Sequence, residues 1–135
     1  MLNTARSFVF TTALPAPTVA ASLAALEVVE CEPERVARLR RNASVLRGGL
    51  REIGFDTLCS ESHIVPVLVG DTATALRMGE ELRLRSVFAV AIRPPTVPAG
   101  KARIRVSAMA THTDADIDVA LRAFHEAGRA CSLLS

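Results

Sequence analysis

The sequence predicts an α/β fold of two layers, in which three or four mostly antiparallel strands are covered by helices. Three observations support this prediction. Four segments have helical composition or apolar residues at helical spacing, two apolar segments have the length of strands, and one segment alternates polar and apolar residues. At 135 residues, the chain has the size of a single domain with its own core.

The first two predicted helices follow an extended N-terminal segment, residues 1–14. Residues 15–135 are assigned to one small α/β domain together with its leading helices. An Ala- and Leu-rich helix is predicted over residues 17–31, with a proline in its first turn. An amphipathic helix is predicted over residues 34–53, and Gly54 is expected to end it as a C-terminal cap.

The last two predicted helices begin at side-chain caps. Asp71 or Thr72 caps a helix that continues to about Leu84. Thr113 caps a helix whose first turn is rich in aspartate, as the helix dipole favours, and Gly128 is expected to end it. The apolar side chains expected to face inward from the third helix are Leu76, Met78 and Leu82.

Four segments are predicted to be strands. Residues 55–58 form a candidate short edge strand, and residues 64–69 form a continuous apolar run that predicts burial on both faces. Residues 87–92 and 103–109 are predicted strands on either side of a proline-rich turn, residues 93–100. The predicted sheet therefore has three or four strands.

Two arginines alternate with apolar residues in the last predicted strand. Successive side chains of a strand point to opposite faces, so Arg103 and Arg105 share one face while Ile104 and Val106 share the other. Guanidinium groups beside a stiff turn suit a carboxylate ligand, because each presents paired donors in one plane. The alternative interpretation is that both arginines only solvate the exposed face of a sheet.

Four stretches of the chain carry recognisable motifs. They are FVFTTALP at 8–15, SHIVPVLVGD at 62–71, AIRPPTVPAG at 91–100 and ARIRVSAMATHT at 102–113. Together they resemble the α-oxoamine synthase family, and the phrase AIRPPTVPAG is specific and indicates the 8-amino-7-oxononanoate synthase branch, which serves biotin biosynthesis. Members of the family are pyridoxal-phosphate enzymes of fold type I that condense an amino acid with an acyl thioester.

The resemblance implies that the chain is the small C-terminal domain of a pyridoxal-phosphate-dependent acyltransferase. The expected substrates are an amino acid, with L-alanine the first choice, and an acyl thioester, and the complete enzyme is expected to be a cytoplasmic homodimer. The family holds its cofactor on a lysine of a preceding large domain, whereas the only lysine here is Lys101, in the turn. The chain is therefore expected to bind no cofactor covalently and not to be competent alone.

Three residues match substrate or cofactor contacts of the family. The resemblance assigns to Arg105 the grip on the substrate's α-carboxylate and to Thr96 a substrate contact. It assigns to Thr12 a contact with the pyridoxal phosphate of the neighbouring subunit. Thr96 as a turn-stabilising residue and Thr12 as an ordinary strand residue remain the alternatives. Arg103 matches no general ligand and is interpreted as structural.

Composition argues against several other functions. The net charge of +2 and the absence of Trp and Tyr give neither a basic patch nor a stacking platform for nucleic acid. No run reaches the roughly 18 apolar residues of a membrane span. His63 and His112 have no third ligand at metal spacing, so hydrogen-bonding roles are expected for them. The odd number of cysteines predicts reduced thiols rather than disulfides. They are Cys31, Cys59 and Cys131.

One alternative of a different class stays open at this point. A small α/β domain of this size can be a stand-alone remnant or interaction module without catalysis. An upstream reading frame that encodes the lysine-bearing large domain would favour the enzyme portion, and a native start at Met1 would favour the module.

Overall fold

A computed structural model describes Thr4 and residues 14–134. Thr12, the residue matched to a cofactor contact, lies outside these described residues. The chain divides into two compact units, residues 1–33 and residues 34–135. Each unit is described by itself below.

Helix α1 spans Ala16–Cys31 in the first unit and starts with Pro17 in its first turn, as predicted. All sixteen residues of the helix are exposed, although most of them are apolar. A helix that is apolar on all sides is typical of one covered by other protein. The large exposed apolar side chains of α1 are Val19, Leu23, Leu26, Val28 and Val29.

The second unit contains the sheet. The described elements that follow α1 are α2 (Pro33–Ile53), β1 (Ile64–Gly70), α3 (Thr72–Leu84), β2 (Val90–Ile92), β3 (Ala102–Ser107) and α4 (Asp114–Ala130). The three described strands are antiparallel and lie in the order β1-β3-β2, so the strand with the arginines is central. The α/β fold with antiparallel strands is confirmed.

One face of the sheet forms the core with α2, α3 and α4. Phe124 of α4 is fully buried and meets Phe55 edge-on, with the ring centroids 6.0 Å apart. Apolar residues of all three helices and of β1 and β3 pack around this pair. The fully buried side chains of the core include Leu50, Val65, Val67, Met78, Leu82 and Ile104.

Both predicted N-caps are present. The Asp71 carboxylate accepts the backbone N–H of Thr74 at 2.9 Å and begins α3. At the start of α4, Thr113 Oγ1 accepts the N–H of Asp116 at 3.2 Å, and the Asp116 carboxylate accepts the N–H of Thr113 at 2.8 Å. This reciprocal capping box satisfies two helix-terminal donors that would otherwise lack partners.

The capping box makes part of the stability pH-dependent. Hydrogen bonds from the backbone and hydroxyl of Thr113 lower the pKa of Asp116 below its ordinary value of 3.8. Because the folded pKa is the lower one, this stabilisation is present above the unfolded pKa and is lost as pH falls through the folded value. We expect Asp116→Asn to lower the free energy of unfolding at neutral pH, with the deficit disappearing in acid.

Denaturant unfolding at a series of pH values, followed by circular dichroism, measures this difference. Asp118→Asn is the matched control, because Asp118 lies on the same helix and is exposed but is not part of the capping box. Equal pH dependence in the two variants would contradict the assignment.

The outer edge of β1 has few free backbone donors. The N–H of Leu68 points away from β3 and donates to the carbonyl of Asp56 at 2.9 Å. The N–H of Ile64 donates to Ser62 Oγ at 3.1 Å. Between them on this edge lies Pro66, which has no N–H. The expectation of a strand at residues 55–58 is wrong, since residues 55–57 have no regular secondary structure and Leu58 lies in a turn.

Two predictions about burial are wrong. The run at 64–69 is not buried on both faces, because Val65 and Val67 are buried whereas Ile64 is 38% exposed. The reason is that α2, α3 and α4, the helices packed with this sheet in the core, lie on one face of it. On α3, Leu76 is 46% exposed, and the small Ala75 takes the buried position instead.

The predicted ends of three elements also differ from the structure. Helix α4 passes through Gly128 and ends at Ala130. Gly128 serves packing there, since a Cβ would lie 2.6 Å from Leu134 and 2.7 Å from Phe55. The predicted strands at 87–92 and 103–109 shorten to the bounds of β2 and β3 given above. By contrast, Gly54 ends α2 with a φ of +113°, as predicted.

Candidate functional site

The uncovered face of the sheet is built by strict alternation of side chains. In β3, Ile104 and Val106 are buried, while Arg103 and Arg105 lie on the other face, as predicted. The register places directly paired residues of neighbouring strands on the same face. The uncovered face, called the open face below, therefore carries Ile64, Pro66 and Leu68 from β1, Arg103, Arg105 and Ser107 from β3, and Val90 and Ile92 from β2.

Arg105 occupies the middle of the open face. Its cross-strand partners are Pro66 on β1 and Val90 on β2, so an apolar residue lies on each side of Arg105. None of the open-face residues is acidic, and Arg105 makes no hydrogen bond or ion pair with any described residue. Its planar donors are free for an external carboxylate.

Arg103 differs from Arg105 in its contacts. Its Nε donates to the carbonyl of Lys101 at 3.1 Å, so part of its donor capacity is used just before the start of its own strand. Arg103 is half-buried, whereas Arg105 is exposed. These contacts agree with the interpretation of Arg103 as structural.

Thr96 lies in the turn that joins β2 to β3. The turn is closed by two backbone hydrogen bonds, from Thr96 N–H to the Arg93 carbonyl and from Lys101 N–H to the Pro98 carbonyl, both 3.1 Å long. Gly100 completes the turn with a φ of +74°. The Thr96 side chain is exposed, and its hydroxyl has no hydrogen-bond partner in the described part of the chain. The two hydrogen bonds that close the turn are thus backbone bonds and do not involve this hydroxyl.

Asn42, which the sequence interpretation overlooked, holds the segment that follows β3. It is fully buried in α2, and its Nδ2 donates to the carbonyls of Met109 at 3.0 Å and His112 at 2.8 Å. The Met109 N–H in turn donates to His112 Nδ1 at 3.3 Å, which confirms the hydrogen-bonding role expected for this histidine. The signal in the sequence was Asn42 itself, a single amide side chain among the apolar residues of one helix face, where a buried polar group needs a hydrogen-bond partner.

The part of the chain that the structure describes has few other features that would indicate a functional site. No group of three or more potential metal ligands occurs among residues 14–134. All three cysteines are unpaired, with Cys131 buried and the other two exposed. Within the same described residues, no helix is long and apolar enough to cross a membrane.

The described residues do not form a holding site for pyridoxal phosphate. Lys101 is exposed in the turn rather than enclosed, and the free donors of the open face belong to Arg105, whose guanidinium suits a carboxylate. Thr12, the one residue matched to a cofactor contact, is outside the described residues. A cofactor in the complete protein would need residues beyond those of the open face.

Comparisons with known proteins agree with the motifs. The family model for aminotransferase class I and II matches residues 1–124. The 8-amino-7-oxononanoate synthase of Symbiobacterium thermophilum is 46% identical over 129 residues, which are 96% of this chain and 33% of the relative. The enzyme of the same name from Anaeromyxobacter dehalogenans is 48% identical over 126 residues, 93% of this chain and 32% of the relative. The chain thus spans about a third of the length of these relatives.

A solved structure supports the fold. The serine palmitoyltransferase of S. paucimobilis, solved with a bound pyridoxal phosphate–myriocin aldimine, has a TM-score of 0.86 and is 35% identical. The match covers 96% of this chain and 33% of that one. The expected cofactor is thus present in a structural relative, and the expected fold type is confirmed. The chain belongs to the aminotransferase class I and II family, in which it resembles the α-oxoamine synthases, including 8-amino-7-oxononanoate synthases.

Proposed function

We propose that the chain is the substrate-facing C-terminal domain of a pyridoxal-phosphate-dependent acyltransferase. The proposed reaction joins L-alanine to an acyl thioester, with loss of the amino acid's carboxylate as CO2 and release of the free thiol. The observation that carries the proposal is Arg105, a free guanidinium at the centre of an open face that has no acidic residue. The similarity to 8-amino-7-oxononanoate synthases supports the choice of reaction.

In this proposal, the chain's own residues bind and orient the amino acid. Arg105 holds the α-carboxylate with paired hydrogen bonds, which fixes the direction of the bond that breaks. Thr96 offers a hydroxyl from a turn whose backbone is closed by its own hydrogen bonds. Pyridoxal phosphate, when bound by the complete enzyme, supplies the electron sink for such reactions.

A hybrid enzyme tests the proposal. The full 135-residue chain replaces the matching third of the Symbiobacterium thermophilum relative, and the hybrid is supplied with pyridoxal phosphate, L-alanine and a series of acyl-CoA thioesters. We expect thiol release that depends on both substrates, together with the amino ketone as product. The control is the relative's remaining portion without the grafted third.

Two outcomes would contradict the proposal. One is a folded hybrid that holds the cofactor but shows no thiol release with any combination of amino acid and thioester. The other is a stoichiometric borohydride-trapped adduct between pyridoxal phosphate and the isolated chain, because it would place cofactor chemistry on Lys101. We expect no such adduct.

We propose that the complete protein is a cytoplasmic homodimer. Helix α1 supports this part of the proposal, because it exposes apolar residues along its whole length. Sedimentation velocity of the hybrid measures the assembly, and a dimer is expected at all working concentrations. A monomeric hybrid with full activity would contradict the proposed dimer.

A further inference from the structure

An apolar column runs along β2 beside Arg105. The inward residues of this strand and of the segment just before it, Val87, Ala89 and Ala91, pack against the core. The alternating residues therefore face away from the core, and the first of them precedes the strand. They are Phe88, Val90 and Ile92, called the β2 column below.

Phe88 is the most exposed member of the β2 column. Its side chain is 87% exposed, the highest value among the exposed large hydrophobic residues described, and Val90 is 37% exposed. An isolated exposed apolar residue needs no explanation, but a column of them on a sheet face is typical of a binding surface. The column spans residues 88–92, which are four steps of roughly 3.3 Å and so about 13 Å.

The segment that carries Phe88 is anchored at its beginning. The N–H of Val87 donates to the carbonyl of Leu82 at 2.9 Å. Arg85 joins Glu81 of α3 at 2.6 Å and Glu126 of α4 at 2.9 Å. These bonds hold the backbone on both sides of Ser86, so Phe88 is presented from a fixed position.

Register brings the β2 column next to the free guanidinium. Val90 is the direct cross-strand partner of Arg105, and Ile92 is the partner of Arg103. When Arg105 holds the carboxylate of the amino acid, the apolar surface of the neighbouring strand therefore lies beside the site where the second substrate reacts. Such a surface suits a saturated hydrocarbon chain, because both lose contact with water on binding.

We propose that the β2 column holds the hydrocarbon chain of the acyl thioester and that Phe88 sets the preferred chain length. This inference rests on the proposed function and adds to it a specificity-determining surface. The column on β1 is the weaker candidate, since Pro66 and Leu68 are half-buried and it has no aromatic residue.

Substitution of Phe88 in the hybrid enzyme tests the inference. The measurement is kcat/KM for straight-chain acyl-CoA thioesters from butanoyl to hexadecanoyl, with L-alanine saturating. We expect Phe88→Ala to lower kcat/KM for the best long-chain thioester roughly 10- to 100-fold, to change the shortest one little, and to leave the KM for L-alanine within about twofold. Phe88→Trp should move the optimum to another chain length.

Two control variants separate this role from a structural one. Leu84→Ala removes a neighbouring apolar side chain that is 73% exposed at the end of α3, and Leu68→Ala truncates the β1 column. Both should leave the chain-length profile unchanged. Because Phe88 is exposed, we expect the melting temperature of Phe88→Ala to stay close to that of the parent hybrid.

The outcomes distinguish this inference from the function it rests on. A parent hybrid that folds and holds the cofactor but is inactive overturns the proposed function and, with it, the inference. An active hybrid whose chain-length profile is unaffected by Phe88→Ala, or is changed by Leu68→Ala instead, overturns the inference alone. An equal loss for all thioesters and for L-alanine would also overturn it, since that pattern indicates general disruption.

Discussion

Arg105→Ala in the hybrid enzyme should raise the barrier measured by kcat/KM for the amino acid by about 2–4 kcal/mol. The guanidinium has no partner among the described residues and lies between apolar neighbours on the open face. Its removal leaves the substrate carboxylate without its paired donors, which is costly when the charge is withdrawn from water. Steady-state kinetics with varied L-alanine at saturating thioester measure the loss.

Two further variants locate the carboxylate contact. Arg105→Lys should recover only part of the activity, because an ammonium group is a point charge without the planar pair of donors. Arg103→Ala should cost much less, since Arg103 already donates to the carbonyl of Lys101. A damaging Arg103→Ala beside a nearly neutral Arg105→Ala would show that the motif has been aligned out of register.

Phe124→Ala should lower the free energy of unfolding by about 3–5 kcal/mol. Phe124 is fully buried, and its ring contacts Phe55 in an edge-on pair at the centre of the core. Truncation removes both the apolar burial and the aromatic contact, and the cavity that remains is lined by α4 and the turn after α2. This loss is a large part of the stability of a domain of this size.

Urea unfolding followed by far-ultraviolet circular dichroism measures the effect, because the chain has no Trp or Tyr for fluorescence. Val119→Ala is the matched control on the same helix, where the valine is 42% exposed. We expect the control to change stability by less than about 1 kcal/mol. Similar losses for the two variants would contradict the packing described for α4.

Local chemistry made much of the fold predictable from the sequence. Asp71, Thr113 and Gly54 act through their own side chains or backbone geometry within a few residues, so their roles follow from position in the chain. Gly128 illustrates the limit. Its place inside α4 depends on Leu134 and Phe55, and no local pattern reveals that a Cβ there would clash with both.

The candidate site was predictable in part, for a similar reason. Strand alternation placed Arg105 opposite the buried Ile104 and Val106, because that alternation is a property of the strand alone. The β2 column was missed, because recognising it requires knowing which face of the sheet the helices cover. The signal in the sequence was an apolar run at 87–92 whose alternate residues are Phe88, Val90 and Ile92.

The outer edge of β1 has a consequence for aggregation. Exposed strand edges recruit further strands through unpaired N–H groups, and proteins avoid this by blocking those donors. On β1, the outward donors of Ile64 and Leu68 are occupied by Ser62 Oγ and the Asp56 carbonyl, and Pro66 has no donor to offer. This edge is therefore closed to strand addition by another chain. The sheet's other edge, β2, offers only three residues for such pairing.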